Sequence, residues 1–109
     1  MTLSTHVLDA SIGRAAEGVT VRLERRIPDG TWAHVAADRT DADGRLRFPG
    51  QLHRAVYRIT FGTGDYFAAR EIATFYPEVT ITFETTAAGE HHHVPLLLSP
   101  FAYSTYRGT

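Results

Sequence analysis

The chain has 109 residues, no cysteine and a formal net charge of −1 at pH 7. This length predicts a single domain over residues 1–109, and a chain without cysteine has neither disulfides nor thiolate metal sites. The near-neutral charge argues against nucleic acid and anionic membranes as partners. All eleven basic residues are arginine, which excludes a Schiff-base lysine mechanism. No apolar run approaches the roughly 18 residues of a membrane-spanning helix, and the first residues lack a signal-peptide pattern. We therefore expect a cytoplasmic location.

Apolar and polar residues alternate along most of the chain, which is the pattern of strands with one buried face. Residues 19–24, 57–61 and 79–84 show it most clearly. Turn residues such as Pro28-Asp29-Gly30 separate these stretches at spacings of about 8–12 residues. The pattern predicts an all-β sandwich or barrel of seven or eight strands.

One stretch departs from this alternation. Residues 65–72 contain no turn residues and concentrate good helix formers, among them Ala68, Ala69 and Glu71. The carboxylate of Asp65 can accept the free N–H groups of a first helical turn. We predict one short helix over residues 65–72, with Asp65 as its cap.

Alternation also predicts which polar side chains point away from the core, because a shift of one residue moves a side chain to the opposite face. In three predicted strands, every second residue from Leu3, Leu46 and Val94 onwards is mostly apolar and is expected to face the core. Opposite these residues lie His6, Arg45, His91 and His93. In the last strand, Ser104 and Tyr106 share one face and Arg107 lies on the other. Histidine and arginine on an outer face are commonly just solvated, so this pattern alone predicts exposure and not chemistry.

A metal site is one alternative use of the histidines. His91 and His93 are two residues apart on one face, a spacing that suits two imidazole ligands of zinc. A third ligand is needed, for which His6 is the candidate, and suitable carboxylates are not obvious nearby. We expect no metal and no cofactor, and a structural sandwich with an incidental zinc site stays open as an alternative. The sequence also lacks the Gly-x-Ser-x-Gly, P-loop and dinucleotide motifs.

Four segments together resemble the transthyretin-like family, in order and in spacing. They are residues 5–9 (THVLD), 43–45 (DGR), 91–100 (HHHVPLLLSP) and 103–109 (YSTYRGT). One branch of this family transports hormones, and the other hydrolyses 5-hydroxyisourate in purine breakdown. The transport branch has lysine, glutamate and threonine where this chain has His6, Arg45 and His93, and it continues past the Tyr-Arg-Gly-Thr segment. The resemblance is therefore to the hydrolase branch.

The resemblance implies a sandwich of two four-stranded sheets that assembles as a homotetramer, with a channel between two dimers. It also implies hydrolysis of 5-hydroxyisourate to 2-oxo-4-hydroxy-4-carboxy-5-ureidoimidazoline in urate degradation. In that reaction His6 and His93 position and deprotonate a water molecule, and Arg45 stabilises the oxyanion. Ser104 and Tyr106 are the candidates for substrate binding at the channel.

One residue departs from the pattern of the hydrolase branch. Thr109 stands where the branch usually has serine, and it keeps a hydroxyl group beside the carboxylate, so activity is expected to survive. The competing interpretation is a carrier that binds aromatic ligands in the channel without turnover. The bulky hydrogen-bonding side chains of His93 and Tyr106 should narrow the channel and disfavour such a carrier.

Overall fold

The computed structural model describes residues 1–86 and 90–109, which form nine strands and one helix. The strands are β1 Thr2–Asp9, β2 Arg14–Ala15, β3 Thr20–Arg26, β4 Trp32–Arg39, β5 Arg45–Phe48, β6 Val56–Phe61, β7 Val79–Glu84, β8 His91–Ser99 and β9 Ala102–Thr105, and the helix is α1 Thr63–Ala68. Within these described ranges, no helix has the length and apolarity needed to cross a membrane.

The strands form two sheets packed face to face. One sheet has the order β2-β1-β8-β9, with β5 also paired to β1, and the other has the order β4-β3-β6-β7. The short β2 and β5 share one edge of β1, because β5 pairs with Leu3–His6 and β2 with Leu8–Asp9. The first sheet is thus four strands wide. The predicted two-sheet sandwich with one short helix is confirmed, and β2 is an addition to it.

The core lies between the sheets and fixes which side chains point outwards. Along β1, alternate residues from Leu3 to Asp9 are buried, and the residues between them are only partly covered. The same alternation leaves Arg45 exposed on β5 and places Val94 in the core of β8. The predicted outward faces of His6, Arg45 and His93 are therefore confirmed.

The helix starts and ends earlier than the sequence pattern predicts. It spans Thr63–Ala68 instead of residues 65–72. Its N-cap is Gly62, which has no side chain to accept a hydrogen bond from the first turn. The prediction of Asp65 as the cap is therefore wrong; Asp65 lies inside the first turn. The helix starts early because the amide of Gly64 donates to the carbonyl of Pro77 at 3.0 Å, a tertiary contact that local propensity does not reveal.

The helix also holds the end of β1. The buried carboxylate of Asp9 accepts hydrogen bonds from the Tyr66 hydroxyl at 2.8 Å and from the Ser11 amide at 3.0 Å. Burial, together with this bond to Asp9, raises the pKa of Tyr66 to about 12. The phenol therefore stays protonated and donating near neutral pH, and α1 stays fixed against the strand that carries His6.

Candidate active site

His6 and Arg45 face each other across the antiparallel pair of β1 and β5. Residues directly opposite in such a pair point to the same side of the sheet, here the outer side. Nε2 of His6 lies 2.9 Å from the carbonyl oxygen of Asp43. A carbonyl oxygen only accepts, so Nε2 must carry a proton and donate it. In the neutral ring of His6 the free lone pair is therefore on Nδ1.

The turn before β5 fixes the backbone of Asp43, which bonds His6, and the backbone of Arg45. The carboxylate of Asp41 accepts hydrogen bonds from the amide of Asp43 at 2.9 Å and from the amide of Arg45 at 3.0 Å. Gly44 has a φ of 73°, and a Cβ atom at this position would run into the carbonyl oxygen of Val7. Only glycine fits both this backbone conformation and this close approach. The Asp-Gly-Arg segment thus presents the Asp43 carbonyl and the start of β5 to β1.

His93 reaches the same outer face from β8. This strand runs parallel to β1, with Ser4 opposite His93 and Thr2 opposite His91. The hydroxyl of Ser4 lies 2.8 Å from Nδ1 of His93 and 2.8 Å from Nε2 of His91. The hydroxyl of Thr2 lies 2.6 Å from Nδ1 of His91. Alternation along a strand gives no sign of these contacts, because it does not reveal which strand lies alongside.

The surroundings of His93 favour its neutral form. Burial is the main cause that holds the pKa of His93 below its ordinary value of 6.5, and charge on His6 and His91 acts in the same direction. Arg45 adds a weaker lowering effect, and a backbone hydrogen bond with Ser4 opposes it. A neutral imidazole near pH 7 is free to accept a proton.

The C-terminal residues lie against His93. The amide of Gly108 donates to the carbonyl of His93 at 2.9 Å. A Cβ atom on Gly108 would come within 2.5 Å of Cδ2 of His93, so the absence of a side chain lets the backbone lie beside the imidazole ring. The next residue, Thr109, lines the same groove as His93. Sequence reasoning did not anticipate the role of Gly108, although the Tyr-Arg-Gly-Thr segment marked its position.

These residues surround an open groove of about 430 Å³ on the outer face. Its lining residues are Ser4, Thr5, His6, Asp41, Arg45, Leu46, Arg47, His91, His93 and Thr109. The structure thus brings together the three predicted catalytic residues, which come from three different strands. Among residues 1–86 and 90–109, no group of three or more histidine, aspartate or glutamate side chains is arranged to hold a metal ion. The alternative of a zinc site at His91 and His93 therefore lacks a third ligand in this part of the chain.

The two predicted substrate-binding residues do not line this groove. Ser104 sits opposite Leu97 on β9, and it is not among the described residues that line the groove. Tyr106 follows β9 and lines a second pocket of about 250 Å³, together with Ile81 and Phe83 of the other sheet and with His93, which borders both this pocket and the groove. Both residues thus lie near β9, an edge strand of its sheet, and their role in substrate binding stays a prediction.

Comparison with known proteins identifies the family of the chain. Residues 3–108 match the model of the HIUase/Transthyretin family. The 5-hydroxyisourate hydrolase of Caulobacter vibrioides is 45% identical over 98% of this chain and 97% of its own length, and that of Mus musculus is 40% identical over 98% and 94%. The structure of Klebsiella pneumoniae 5-hydroxyisourate hydrolase has 40% identity, a TM-score of 0.87 and coverage of 100% of both chains. Transthyretin from Sparus aurata has 31% identity, a TM-score of 0.92 and coverage of 97% and 95%. The chain belongs to the HIUase/Transthyretin family.

Proposed function

We propose that this protein hydrolyses 5-hydroxyisourate to 2-oxo-4-hydroxy-4-carboxy-5-ureidoimidazoline in urate degradation. The observation that carries the proposal is the convergence of His6, Arg45 and His93 on one outer-face groove. Relatives named 5-hydroxyisourate hydrolase share 40–45% identity with nearly the whole chain, compared with 31% for the transthyretin. This difference supports a hydrolase over a carrier on the same fold.

In the proposed mechanism the two histidines act on one water molecule. Nδ1 of His6 carries a lone pair, because Nε2 donates to Asp43. This lone pair accepts a hydrogen bond from the water molecule and so orients it. Nε2 of His93 accepts the other proton as the water attacks the ring carbonyl. We assign the base to His93 because its ring lines the groove, the Ser4 hydroxyl engages its Nδ1, and burial holds its pKa below the ordinary value. Nothing in this scheme draws on a metal or a cofactor.

Arg45 acts on the charge that develops during the attack. Its guanidinium is permanently charged and offers a planar set of donors to the tetrahedral oxyanion. When the C–N bond of the ring amide breaks, the acyl carbon becomes a carboxylic acid, and the ring nitrogen, as the leaving group, takes the proton held by His93. The base is then neutral again and the atoms balance with one water consumed.

The direct test is turnover of fresh 5-hydroxyisourate made by urate oxidation. This compound absorbs in the near ultraviolet and decays slowly on its own, and we expect catalytic amounts of the protein to accelerate the decay. The control is the His6→Ala/His93→Ala double variant, matched in concentration and shown to be folded by circular dichroism. If the compound binds but decays at the uncatalysed rate, the carrier interpretation replaces the enzyme.

We further propose a homotetramer in the cytoplasm, in which the groove-bearing faces of two dimers line a central channel. The groove lies on an open sheet face, Leu97 is exposed further along β8, and Tyr106 is exposed at the edge of the sandwich. Contacts between subunits would cover this apolar surface and bring Ser104 and Tyr106 to subunit boundaries. We expect sedimentation equilibrium to give four times the chain mass of 12.1 kDa. A monomer with full activity would contradict the channel.

A further inference from the structure

A row of alternating hydroxyl and imidazole groups crosses from β1 to β8 along the wall of the groove. It runs from the Thr2 hydroxyl to His91, from His91 to the Ser4 hydroxyl, and from Ser4 to Nδ1 of His93, at successive distances of 2.6, 2.8 and 2.8 Å. The parallel register of the two strands creates this row, because it sets Thr2 beside His91 and Ser4 beside His93. The Ser4 hydroxyl bonds two imidazoles that are two residues apart on one strand.

The single hydroxyl proton of Ser4 couples the two rings. A hydroxyl donates one hydrogen bond and accepts others. If Ser4 donates to His91, then His93 must donate to Ser4 from Nδ1. If Ser4 donates to His93 instead, then His91 must donate from Nε2. A neutral imidazole has one N–H, so in either arrangement the protonation of His91 fixes that of His93.

Only one arrangement suits a base at His93. Among the described residues, Nδ1 is the ring nitrogen of His93 that has a hydrogen-bond partner. A base must keep its other nitrogen, Nε2, free of a proton, so Nδ1 must carry the proton. After Nε2 takes a proton from water, the charged ring can only donate at Nδ1, and Ser4 must accept. The same arrangement therefore serves both the neutral ring and the imidazolium.

We propose that Ser4, backed by His91 and Thr2, is a positioning residue that keeps the His93 proton on Nδ1 and the lone pair on Nε2. The inference rests on the proposed function, since it specifies how the base of that reaction is prepared. Ser4 touches no reacting atom in this scheme; it acts through the imidazole ring of His93. The exposed His91 completes the row by accepting the Ser4 proton on Nε2 and donating from Nδ1 to Thr2.

The kinetic test compares Ser4→Ala with Ser4→Thr, because only the second keeps a hydroxyl. We expect Ser4→Ala to lower kcat about 10- to 100-fold, as fits the loss of one hydrogen bond to a group that becomes charged. KM should change little, and Ser4→Thr should restore most of kcat. The acid limb of the kcat profile should move to lower pH in Ser4→Ala, since the imidazolium loses an acceptor. Thr31→Ala is the control. It removes an exposed hydroxyl in the turn between β3 and β4 of the other sheet and should keep kcat within about twofold in the same assay.

The spectroscopic test reads the proton positions directly. Long-range ¹H–¹⁵N spectra of the histidine rings, recorded at a pH where they are neutral, distinguish protonated from bare ring nitrogens. We expect His93 to carry its proton on Nδ1 in the unaltered protein and to show a mixture of both forms in Ser4→Ala. A ring already protonated on Nε2, or an unchanged kcat and acid limb in Ser4→Ala, overturns the proposal. If the protein does not hydrolyse 5-hydroxyisourate, the proposed function is wrong. The spectra then still show whether Ser4 keeps the His93 proton on Nδ1.

Discussion

We expect His93→Ala to lower kcat/KM for 5-hydroxyisourate by about 10²–10⁴-fold, the range for losing a general base. The substitution removes the ring nitrogen that takes the proton from water, and it leaves a gap beside Gly108, whose backbone lies against this ring. Initial rates measured by near-ultraviolet decay, with the uncatalysed rate subtracted, give the comparison. His34→Ala is the matched control, because His34 is exposed on β4 of the other sheet and should keep the full rate.

The pH profile separates loss of the base from loss of structure. Burial holds the pKa of His93 below 6.5, and only the unprotonated ring accepts a proton. Activity of the unaltered protein should therefore be lost as the pH falls through this lowered pKa and be level above it. The residual rate of His93→Ala should lack this acid limb. A full rate in His93→Ala would remove His93 from the mechanism, and a retained limb would move the base to another group such as His6.

We expect Arg45→Met to lower kcat by about 10²–10³-fold, the range for removing one group that stabilises an oxyanion. Methionine keeps much of the side-chain length but has no charge and no donors. Arg45→Lys should recover only part of the rate, because an ammonium group keeps the charge without the planar pair of donors. Arg26→Met changes an exposed arginine at the end of β3 and should leave kcat within about twofold, as is usual for surface substitutions.

The division between kcat and KM identifies what Arg45 does. An interaction made only in the transition state lowers kcat and kcat/KM together, whereas uniform binding of substrate raises KM and leaves kcat unchanged. Steady-state kinetics over a wide range of substrate concentration distinguish the two. A changed KM with an unchanged kcat in Arg45→Met would make Arg45 a substrate anchor and leave the oxyanion without its proposed partner.

The sequence predicts the faces of this fold well, because strand periodicity is local. Leu3 and Val7 on one side of β1 are enough to place His6 on the other side, and Leu46 and Phe48 do the same for Arg45. The structure confirms these faces. The outward orientation of each catalytic candidate was thus predictable from residues close to it along the chain.

The neighbours on that face were not predictable in the same way. Ser4 lies beside His93 only because β1 and β8 pair in parallel with a particular register, and nothing near Ser4 in the sequence specifies this partner. The boundaries of α1 were missed for a similar reason, since Gly64 meets Pro77 through a tertiary contact. Alternation in the last strand also could not predict the position of Tyr106, because β9 ends at Thr105.

The parallel pairing of β1 with β8 has a consequence for how activity appears during folding. The bond between Ser4 and His93 joins residues 89 positions apart, so the groove requires nearly the whole chain to be brought together. Closing a loop of this length has an entropic cost that must be met before the contacts stabilise it, and folds dominated by such distant pairings form slowly, on the order of milliseconds to seconds. A hairpin such as β3–β4 can form before any catalytic residue has a neighbour. Recovery of turnover after dilution from denaturant therefore reports the joining of the first and eighth strands, and it should lag behind the early gain of β-structure.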